Sequence, residues 1–297
     1  MKSQLFLFRL VIVATVALKL GGENLTAGEI RTEAVPSPVL GYDWPVRIYL
    51  PDGFERNAEK KYPALFLLHG SGGDETDWDR IYPVIDSLIV SKQIPALIAV
   101  APTSGTSWWV DGSKRFEAAF IDDLIPYMSR KYRLCEERNA HVIAGFSMGG
   151  YGALRYGLAY PRIFGGSILL SPSIYDELPP AGSSARSSGA FGLPFSAERW
   201  KVRNFTTIIP DYIRLALPVR FFIGAGDDDW NHAEGIEYNI EQQVVRLYGL
   251  LNKKYHNPAE LRIVNGGHDW DVWQPLFVEG LLYMVRTLPS FQIVGQK

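Results

Sequence analysis

Short apolar runs, rich in β-branched and aromatic residues, alternate along this chain with segments of helical periodicity. Seven of these runs are predicted to be strands. They are residues 46–50, 64–69, 96–101, 141–146, 166–170, 219–224 and 261–264. Several are apolar on both faces, which is typical of buried strands in a mostly parallel sheet.

Between the predicted strands, apolar residues recur at the spacing of an amphipathic helix. The sets are Ile81, Ile85, Leu88 and Ile89; Phe120, Leu124 and Met128; Ile236, Ile240, Val244, Leu247 and Leu251; and Leu276, Leu281 and Val285. Strands that alternate with helices predict an α/β fold with a mostly parallel central sheet and helices on both faces. Active-site loops are then expected at the carboxyl ends of the strands.

Residues 179–197 interrupt this alternation. The segment is dense in Gly, Ser, Pro and Ala and lacks any periodicity. It is too long for an ordinary connection between a strand and a helix. We therefore expect a lid-like insert over about residues 176–215, near the active site, in which residues 179–197 form either a mobile cover or a disordered stretch.

The first 28 residues differ from the rest of the chain. Lys2 and Arg9 precede a nine-residue run, 10–18, that is apolar except for Thr15. That run is too short to span a bilayer, which needs about 20 residues, but it suits the apolar part of an export signal. We expect a secreted or periplasmic protein without stable membrane insertion, in which residues 29–297 form one domain. A disordered N-terminus on a cytoplasmic protein is the alternative.

Composition narrows the class of function. Hydrophobic residues make up 47% and charged residues 21% of the chain, as in ordinary globular proteins. The 30 Lys and Arg residues against 32 Asp and Glu residues leave no basic excess, so no nucleic-acid partner is expected. Cys135 is the single cysteine, which excludes an intrachain disulfide and cysteine-rich zinc patterns. The oligomeric state does not follow from the sequence.

A G-x-S-x-G motif is formed by Gly145, Ser147 and Gly149. An apolar strand runs into the motif, and a helix is predicted directly after it. A sharp turn between strand and helix exposes the serine hydroxyl, and the small flanking residues permit the close backbone approach that the turn requires. Ser147 is therefore the predicted nucleophile. The following amide, that of Met148, lies at a helix N-terminus and is a predicted oxyanion donor.

His69 and Gly70 begin a glycine-rich loop after another apolar strand. The loop lacks the lysine of a phosphate-binding loop and the spacing of a dinucleotide-binding loop. Such a loop is where α/β-hydrolases hold the second oxyanion donor. We expect that donor to be the amide of Ser71, with Gly72 as the alternative, and a structural role for His69.

The acid and the base of such a site follow the serine in the chain. Among the five histidines, His268 alone follows a predicted strand near the C-terminus, within a glycine-containing loop. Asp227, Asp228 and Asp229 follow the strand at 219–224, and each could supply the acid. A zinc site of Asp229, His232 and His268 is a weaker alternative, because the sequence contains no H-x-H or H-x-x-x-H pair.

These blocks resemble the putative-esterase (esterase D-like) family of α/β-hydrolases over about residues 46–288. The resemblance rests on GFSMGGYGAL at 145–154, YPRIFG at 160–165 and GHDWDVW at 267–273. The family includes feruloyl and acetylxylan esterases, S-formylglutathione hydrolases, siderophore esterases and mycolyltransferases. The resemblance implies an α/β-hydrolase fold with Ser147 as nucleophile and His268 as base. The G-x-x-D pattern of related hydrolases places the acid on Asp229, although this chain has three aspartates where the family usually has one clear acid.

The expected reaction is hydrolysis of a carboxylic ester through an acyl-enzyme, without a metal or an organic cofactor. An acyltransferase with the same triad and a catalytically silent binding module are the alternatives. Several tryptophans lie in or beside loops expected near the serine, where exposed indoles could stack on an aromatic acyl group or a sugar. They are Trp108, Trp109, Trp230, Trp270 and Trp273. We therefore expect a small or carbohydrate-linked ester as the substrate, of the feruloyl or acetyl type, with S-formylglutathione and siderophore esters as alternatives.

Overall fold

Eight strands form one sheet in the computed structural model, which describes residues 28–56, 58–230 and 234–291. The strands are β1 Glu29–Ser37, β2 Tyr42–Leu50, β3 Ala64–Leu68, β4 Ile98–Pro102, β5 His141–Phe146, β6 Gly166–Leu170, β7 Arg220–Gly226 and β8 Ala259–Val264. Their order across the sheet is β1-β2-β4-β3-β5-β6-β7-β8. Strands β3 to β8 are mutually parallel, whereas β1 and β2 are antiparallel to their neighbours. The predicted mostly parallel sheet is confirmed.

The described helices are α1 Tyr82–Val90, α2 Phe116–Ala119, α3 Ile125–Tyr132, α4 Met148–Ala159, α5 Ser184–Ser187, α6 Ala197–Arg203, α7 Phe205–Leu215, α8 Ile240–Tyr248 and α9 Trp270–Thr287. A π-helical turn, Phe120–Leu124, joins α2 to α3. Side chains of α1 and α9 enter the core on one face of the sheet, and those of α2 to α4, α7 and α8 enter the core on the other. The sheet is thus covered on both faces, as the sequence predicts.

The buried strands supply side chains to both cores. In β3, Leu65 and Leu67 contribute to the core beside α1 and α9, whereas Phe66 and Leu68 contribute to the opposite core. Successive side chains of a strand point to opposite faces, so a strand buried on both sides needs apolar residues on both faces. This explains the predominantly apolar runs in the sequence.

Strand β1 was not predicted from the sequence. It lies at the edge of the sheet, pairs only with β2, and exposes most of its side chains. Because an edge strand of this kind buries few residues, its sequence carries little of the apolar signal that identifies the central strands.

The segment between β6 and β7 is folded, although its sequence was also compatible with disorder. Phe191 and Trp200 are completely buried, and their rings meet at a centroid distance of 4.8 Å. Both pack against Trp108, which belongs to the loop after β4. The disordered alternative for residues 179–197 is therefore wrong, since sparse apolar residues here are used for specific contacts that periodicity does not reveal.

The predicted export signal lies outside the described part of the chain, apart from Gly28. In the ranges that the structure describes, no helix combines the length and the apolar character needed to cross a membrane.

Candidate active site

Ser147 lies in a sharp turn between β5 and α4, at the carboxyl end of the strand. Its φ of 54° and ψ of −121° fall in a region that residues with a Cβ rarely occupy. The turn brings backbones very close together: a Cβ on Gly149 would lie 2.1 Å from the carbonyl oxygen of Leu68, and one on Gly145 would lie 2.1 Å from that of Gly149. The two glycines of the motif are therefore required by the geometry of the turn.

The loop after β3 packs directly against this turn. A Cβ on Gly70 would lie 2.7 Å from the ring of Phe146 and 3.5 Å from the Cβ of Ser147. Among the described residues, the amides of Ser71 and Met148 donate to no acceptor. Unused donors beside a serine hydroxyl can bind a negative charge that develops on a neighbouring oxygen.

Gly72, the alternative second donor, is not available. Its amide donates to the carbonyl oxygen of Gly105 at 3.0 Å, within a pairing of this loop with the loop after β4. The alternative assignment to Gly72 is therefore wrong, because the glycine-rich loop is itself held by a backbone hydrogen bond that the sequence does not indicate.

His69 is buried beneath the same loop with both ring nitrogens engaged. The amide of Ser104 donates to Nε2 at 2.8 Å, and Nδ1 lies 2.7 Å from the carbonyl oxygen of Gly70, to which it donates. Burial lowers the pKa of His69 from its usual 6.5 to about 4, so the ring is neutral near neutral pH. His69 thus acts as a hydrogen-bonded bridge between two loops.

His268 and Asp229 form a direct hydrogen bond. Nδ1 of His268 lies 2.6 Å from Oδ1 of Asp229, whose carboxylate is completely buried just after β7. The neighbouring aspartates differ in both respects: Asp227 is exposed and accepts from the amide of Gly266 at 3.0 Å, and Asp228 is exposed. Of the three candidate acids, the structure brings Asp229 to His268.

Two indoles enclose the imidazole of His268. Trp230 stacks on one face, with ring centroids 4.7 Å apart and planes 4° from parallel. Trp273 meets the imidazole edge to face, at 5.0 Å and 88°. Trp273 also stacks on Phe146, the residue before Ser147, at 4.6 Å. One tryptophan thereby links the histidine loop to the serine turn.

Sequence reasoning missed the serines around this turn. The hydroxyl of Ser173 lies 3.4 Å from that of Ser147, and the hydroxyl of Ser171 accepts from the indole nitrogen of Trp273 at 2.9 Å. Both residues follow β6. Their only sequence signal is their place after a predicted strand, which does not distinguish them from other loop serines.

The tryptophans predicted to bind substrate divide into two groups. Trp108, Trp109 and Trp273 are 1%, 0% and 7% exposed, so their assignment as stacking faces is wrong. Trp108 packs on Tyr151 of α4 and on the insert, and Trp109 packs on His69. Trp230 is 48% exposed, and Trp270 is half-buried, so these two can present ring surface to a ligand.

The structure does not test the zinc alternative, because His232 lies outside the described residues. In the described ranges, no three His, Cys, Asp or Glu side chains form a group that could hold a metal ion. Cys135 is a free, half-buried thiol whose pKa is raised by burial.

The strand order, the serine turn after β5 and the acid and histidine after β7 and β8 define an α/β-hydrolase. The sequence matches the family described as "Putative esterase" over residues 37–284. The chain belongs to this family.

Curated relatives include an acetyl esterase of Caldicellulosiruptor saccharolyticus, which is 31% identical over 265 residues, covering 84% of this chain and 91% of that protein. An esterase of Mycobacterium tuberculosis is 33% identical over 128 residues, 41% of this chain and 27% of its own. An endo-1,4-beta-xylanase/feruloyl esterase of Xylanibacter ruminicola is 29% identical over 165 residues, 52% of this chain and 23% of its own. The chain thus matches only about a quarter of the length of the last two relatives.

Solved structures share the fold. A ferulic acid esterase superimposes with a TM-score of 0.72 at 25% identity, covering 88% of this chain and 98% of that one. The S-formylglutathione hydrolase of Staphylococcus aureus superimposes with a TM-score of 0.66 at 19% identity, covering 87% and 98%.

Proposed function

We propose that the protein is a serine esterase that cleaves carboxylic esters through an acyl-enzyme. The observation that carries the proposal is the hydrogen-bonded pair of His268 and Asp229. The pair follows the carboxyl ends of β7 and β8, on the same side of the sheet as the strained turn of Ser147. Membership of the esterase family supports the same reaction. The arrangement supplies a nucleophile, a base, and an acid that orients the base.

In the first half of the reaction, the Ser147 hydroxyl oxygen attacks the ester carbonyl carbon while Nε2 of His268 takes the hydroxyl proton. The carbonyl oxygen becomes an oxyanion, which accepts hydrogen bonds from the amides of Met148 and Ser71. The intermediate then collapses, the bond to the alcohol oxygen breaks, and His268 returns the proton to the leaving alcohol. A water molecule repeats these steps on the acyl-serine, releases the acid and restores the hydroxyl.

Asp229 acts through His268. Its carboxylate holds the proton on Nδ1, which leaves Nε2 free to accept, and it stabilises the imidazolium that forms during attack. The complete burial of Asp229 excludes water from this hydrogen bond. A hydrogen bond that involves a charged group is stronger in such a site than in solvent.

We propose a carbohydrate-linked or aromatic ester as the substrate. The partly exposed indoles of Trp230 and Trp270 support this assignment, since they can stack on a sugar or an aromatic acyl group. Relatives named as an acetyl esterase and as a xylanase/feruloyl esterase point in the same direction. Export from the cytoplasm, proposed from the apolar run at 10–18, would place the enzyme where polymeric carbohydrate is found.

A fluorophosphonate probe tests the proposed nucleophile directly. We expect one covalent adduct on Ser147 in the unaltered protein, none in Ser147→Ala, and labelling retained in Ser173→Ala, which removes the neighbouring hydroxyl. Equal labelling of Ser147→Ala would overturn the mechanism. A panel of acetylated sugars, feruloyl esters, aryl acetates and S-formylglutathione, compared by kcat/KM, tests the substrate class. A preference for S-formylglutathione over all the oxygen esters would overturn that part.

A further inference from the structure

A cavity of about 330 Å³ opens at the carboxyl end of β4. Strand β3, which carries the loop of Ser71, separates β4 from the strand that ends at Ser147. The cavity therefore lies at the carboxyl ends of the strands, as Ser147 does, and on the far side of the oxyanion loop from Ser147. Its walls are the loop after β4, Tyr42 at the start of β2, and Ser188 and Ala190 of the segment between β6 and β7. We call it the hydroxyl cavity.

The lining of this cavity combines hydroxyl groups with apolar side chains, among them Val110, Phe116 and Ala190. The lining serines and threonines are Thr103, Ser104, Thr106, Ser107, Ser113 and Ser188. Lys114 adds one ammonium group, 4.5 Å above the ring of Tyr42, and no acidic residue is among the described residues that line the cavity. Within the described part of the chain, the hydroxyls of Thr106 and Ser113 and the ammonium of Lys114 make no hydrogen bond or ion pair. These polar groups are available to a ligand.

This lining favours a sugar ring over other small ligands. A phosphate dianion is normally held by more than one cation, and Lys114 is the one cation among the described lining residues. A pyranose presents apolar C–H faces together with several hydroxyls that both donate and accept, which matches a lining of apolar side chains interleaved with serines and threonines. The volume lies at the small end of the range for ligand pockets, about 300–1,000 Å³. One sugar ring, neutral or with a single carboxylate that meets Lys114, fits these properties.

The floor of the cavity is tied to the oxyanion loop. The amide of Ser104 donates to His69, and the carbonyl of Gly105 accepts from Gly72, one residue beyond Ser71. A ligand that contacts Ser104 or Thr106 therefore touches the segment that holds the oxyanion loop in place. Binding energy gained far from the reacting bond can raise kcat when it is used to position groups at that bond.

We propose that the hydroxyl cavity binds a sugar ring of the substrate, remote from the ester bond that Ser147 attacks. The assignment of that sugar to a substrate rests on the proposed esterase function, whereas sugar binding itself does not. Kinetically, a substrate that fills the cavity should differ from a simple aryl acetate in kcat as well as in KM.

Binding is tested without catalysis, on the full-length Ser147→Ala protein titrated by calorimetry with methyl glucoside and with glucuronate. We expect dissociation constants that are roughly millimolar, as for other ligands of so few atoms. Ser113→Trp should weaken both sugars at least tenfold, because an indole at this exposed position fills the cavity. Ser129→Trp places the same indole on an exposed serine of α3, outside the cavity, and should change neither. Lys114→Met should weaken glucuronate more than methyl glucoside.

The proposal is overturned if neither sugar binds, or if Ser113→Trp and Ser129→Trp bind both sugars equally. A second measurement compares an acetylated disaccharide with an aryl acetate in the active enzyme. Ser113→Trp should lower the ratio of kcat/KM for the sugar ester to kcat/KM for the aryl acetate at least tenfold, whereas Ser129→Trp should leave this ratio unchanged. An equal fractional loss of kcat/KM for the sugar ester and for the aryl acetate would contradict a sugar subsite. Absence of hydrolysis by the unaltered protein would instead contradict the esterase function, and would leave the calorimetric result standing.

Discussion

The indole of Trp230 lies parallel to the imidazole of His268, 4° from coplanarity and with ring centroids 4.7 Å apart. Trp230 follows Asp229 directly in the chain, so one loop supplies both the carboxylate at the edge of the imidazole and the ring on its face. With Trp273 in edge-to-face contact as well, the imidazole is restricted in rotation as well as in position. The electron-rich face of an indole also favours a positively charged ring above it.

Replacing Trp230 should therefore lower the catalytic rate constant although no reacting group is removed. In Trp230→Ala the imidazole loses the ring that limits its rotation, so kcat should fall about tenfold. The kcat of Trp230→Phe, which keeps an aromatic face, should lie between those of Trp230→Ala and the unaltered protein. The measurement is kcat and KM on an aryl acetate. An unchanged kcat with only KM raised would mean that Trp230 contacts substrate and does not act through His268.

Asp229 and Asp227 provide a matched pair. Asp229→Asn should reduce kcat by several orders of magnitude, because an amide favours the wrong tautomer of His268. Asp227→Asn keeps an acceptor oxygen for the amide of Gly266 and lies in solvent, so it should retain nearly full activity. Steady-state kinetics on both purified variants decides between them. High activity in Asp229→Asn together with low activity in Asp227→Asn would reverse the assignment.

The serine turn should be intolerant of any side chain at Gly149. The added methyl of Gly149→Ala would meet the carbonyl oxygens of Leu68 and His69, at 2.1 and 2.7 Å, and backbone atoms cannot rotate away. We expect the free energy of unfolding to fall by about 3 kcal/mol or more, at the upper end for overpacked sites. Gly249→Ala, where no atom lies within 4 Å, should be neutral or slightly stabilising. Urea unfolding of both variants measures the difference. Equal stabilities would contradict the close approach at the turn.

His69 should make the fold sensitive to mild acid. Its pKa is about 4 in the folded protein and 6.5 in the unfolded chain, so between these values the unfolded chain binds a proton that the native protein does not. Stability is therefore constant above about pH 6.5 and falls as the pH drops towards 4, with about 2 kcal/mol lost by pH 5. Urea unfolding at pH 7 and pH 5 tests this expectation. His69→Gln, whose amide can replace the hydrogen bonds, should show a smaller difference between the two pH values. An equal difference would assign the acid sensitivity to other groups, such as the buried His141, whose pKa burial also lowers.

The central sheet was predictable because burial on both faces leaves a continuous apolar signal. All seven predicted strands are present, two of them with the predicted bounds and five with ends shifted by one to four residues. Strand β1 was not predicted, because its exposed position at the edge of the sheet permits polar residues. The fold of the segment between β6 and β7 was not predicted, because its few apolar side chains, Phe191 among them, pack against a distant loop. Such contacts leave no local periodicity in the sequence.

The sequence alone determined the alternation of strands and helices and the strand–serine–helix context of Ser147, and it singled out His268 among five histidines. These features are local, since backbone sterics and side-chain periodicity act over a few residues. The pairing of Asp229 with His268, the burial of Trp108 and Trp109, and the engagement of Gly72 depend on contacts between segments far apart in the chain. Two adjacent aspartates, or two loop tryptophans, are chemically equivalent until the tertiary packing removes one from water and leaves the other in it. The physical reason is that the burial of a side chain and its hydrogen-bond partner depend on several loops meeting at the carboxyl ends of the strands. Neither is encoded in any one of those loops.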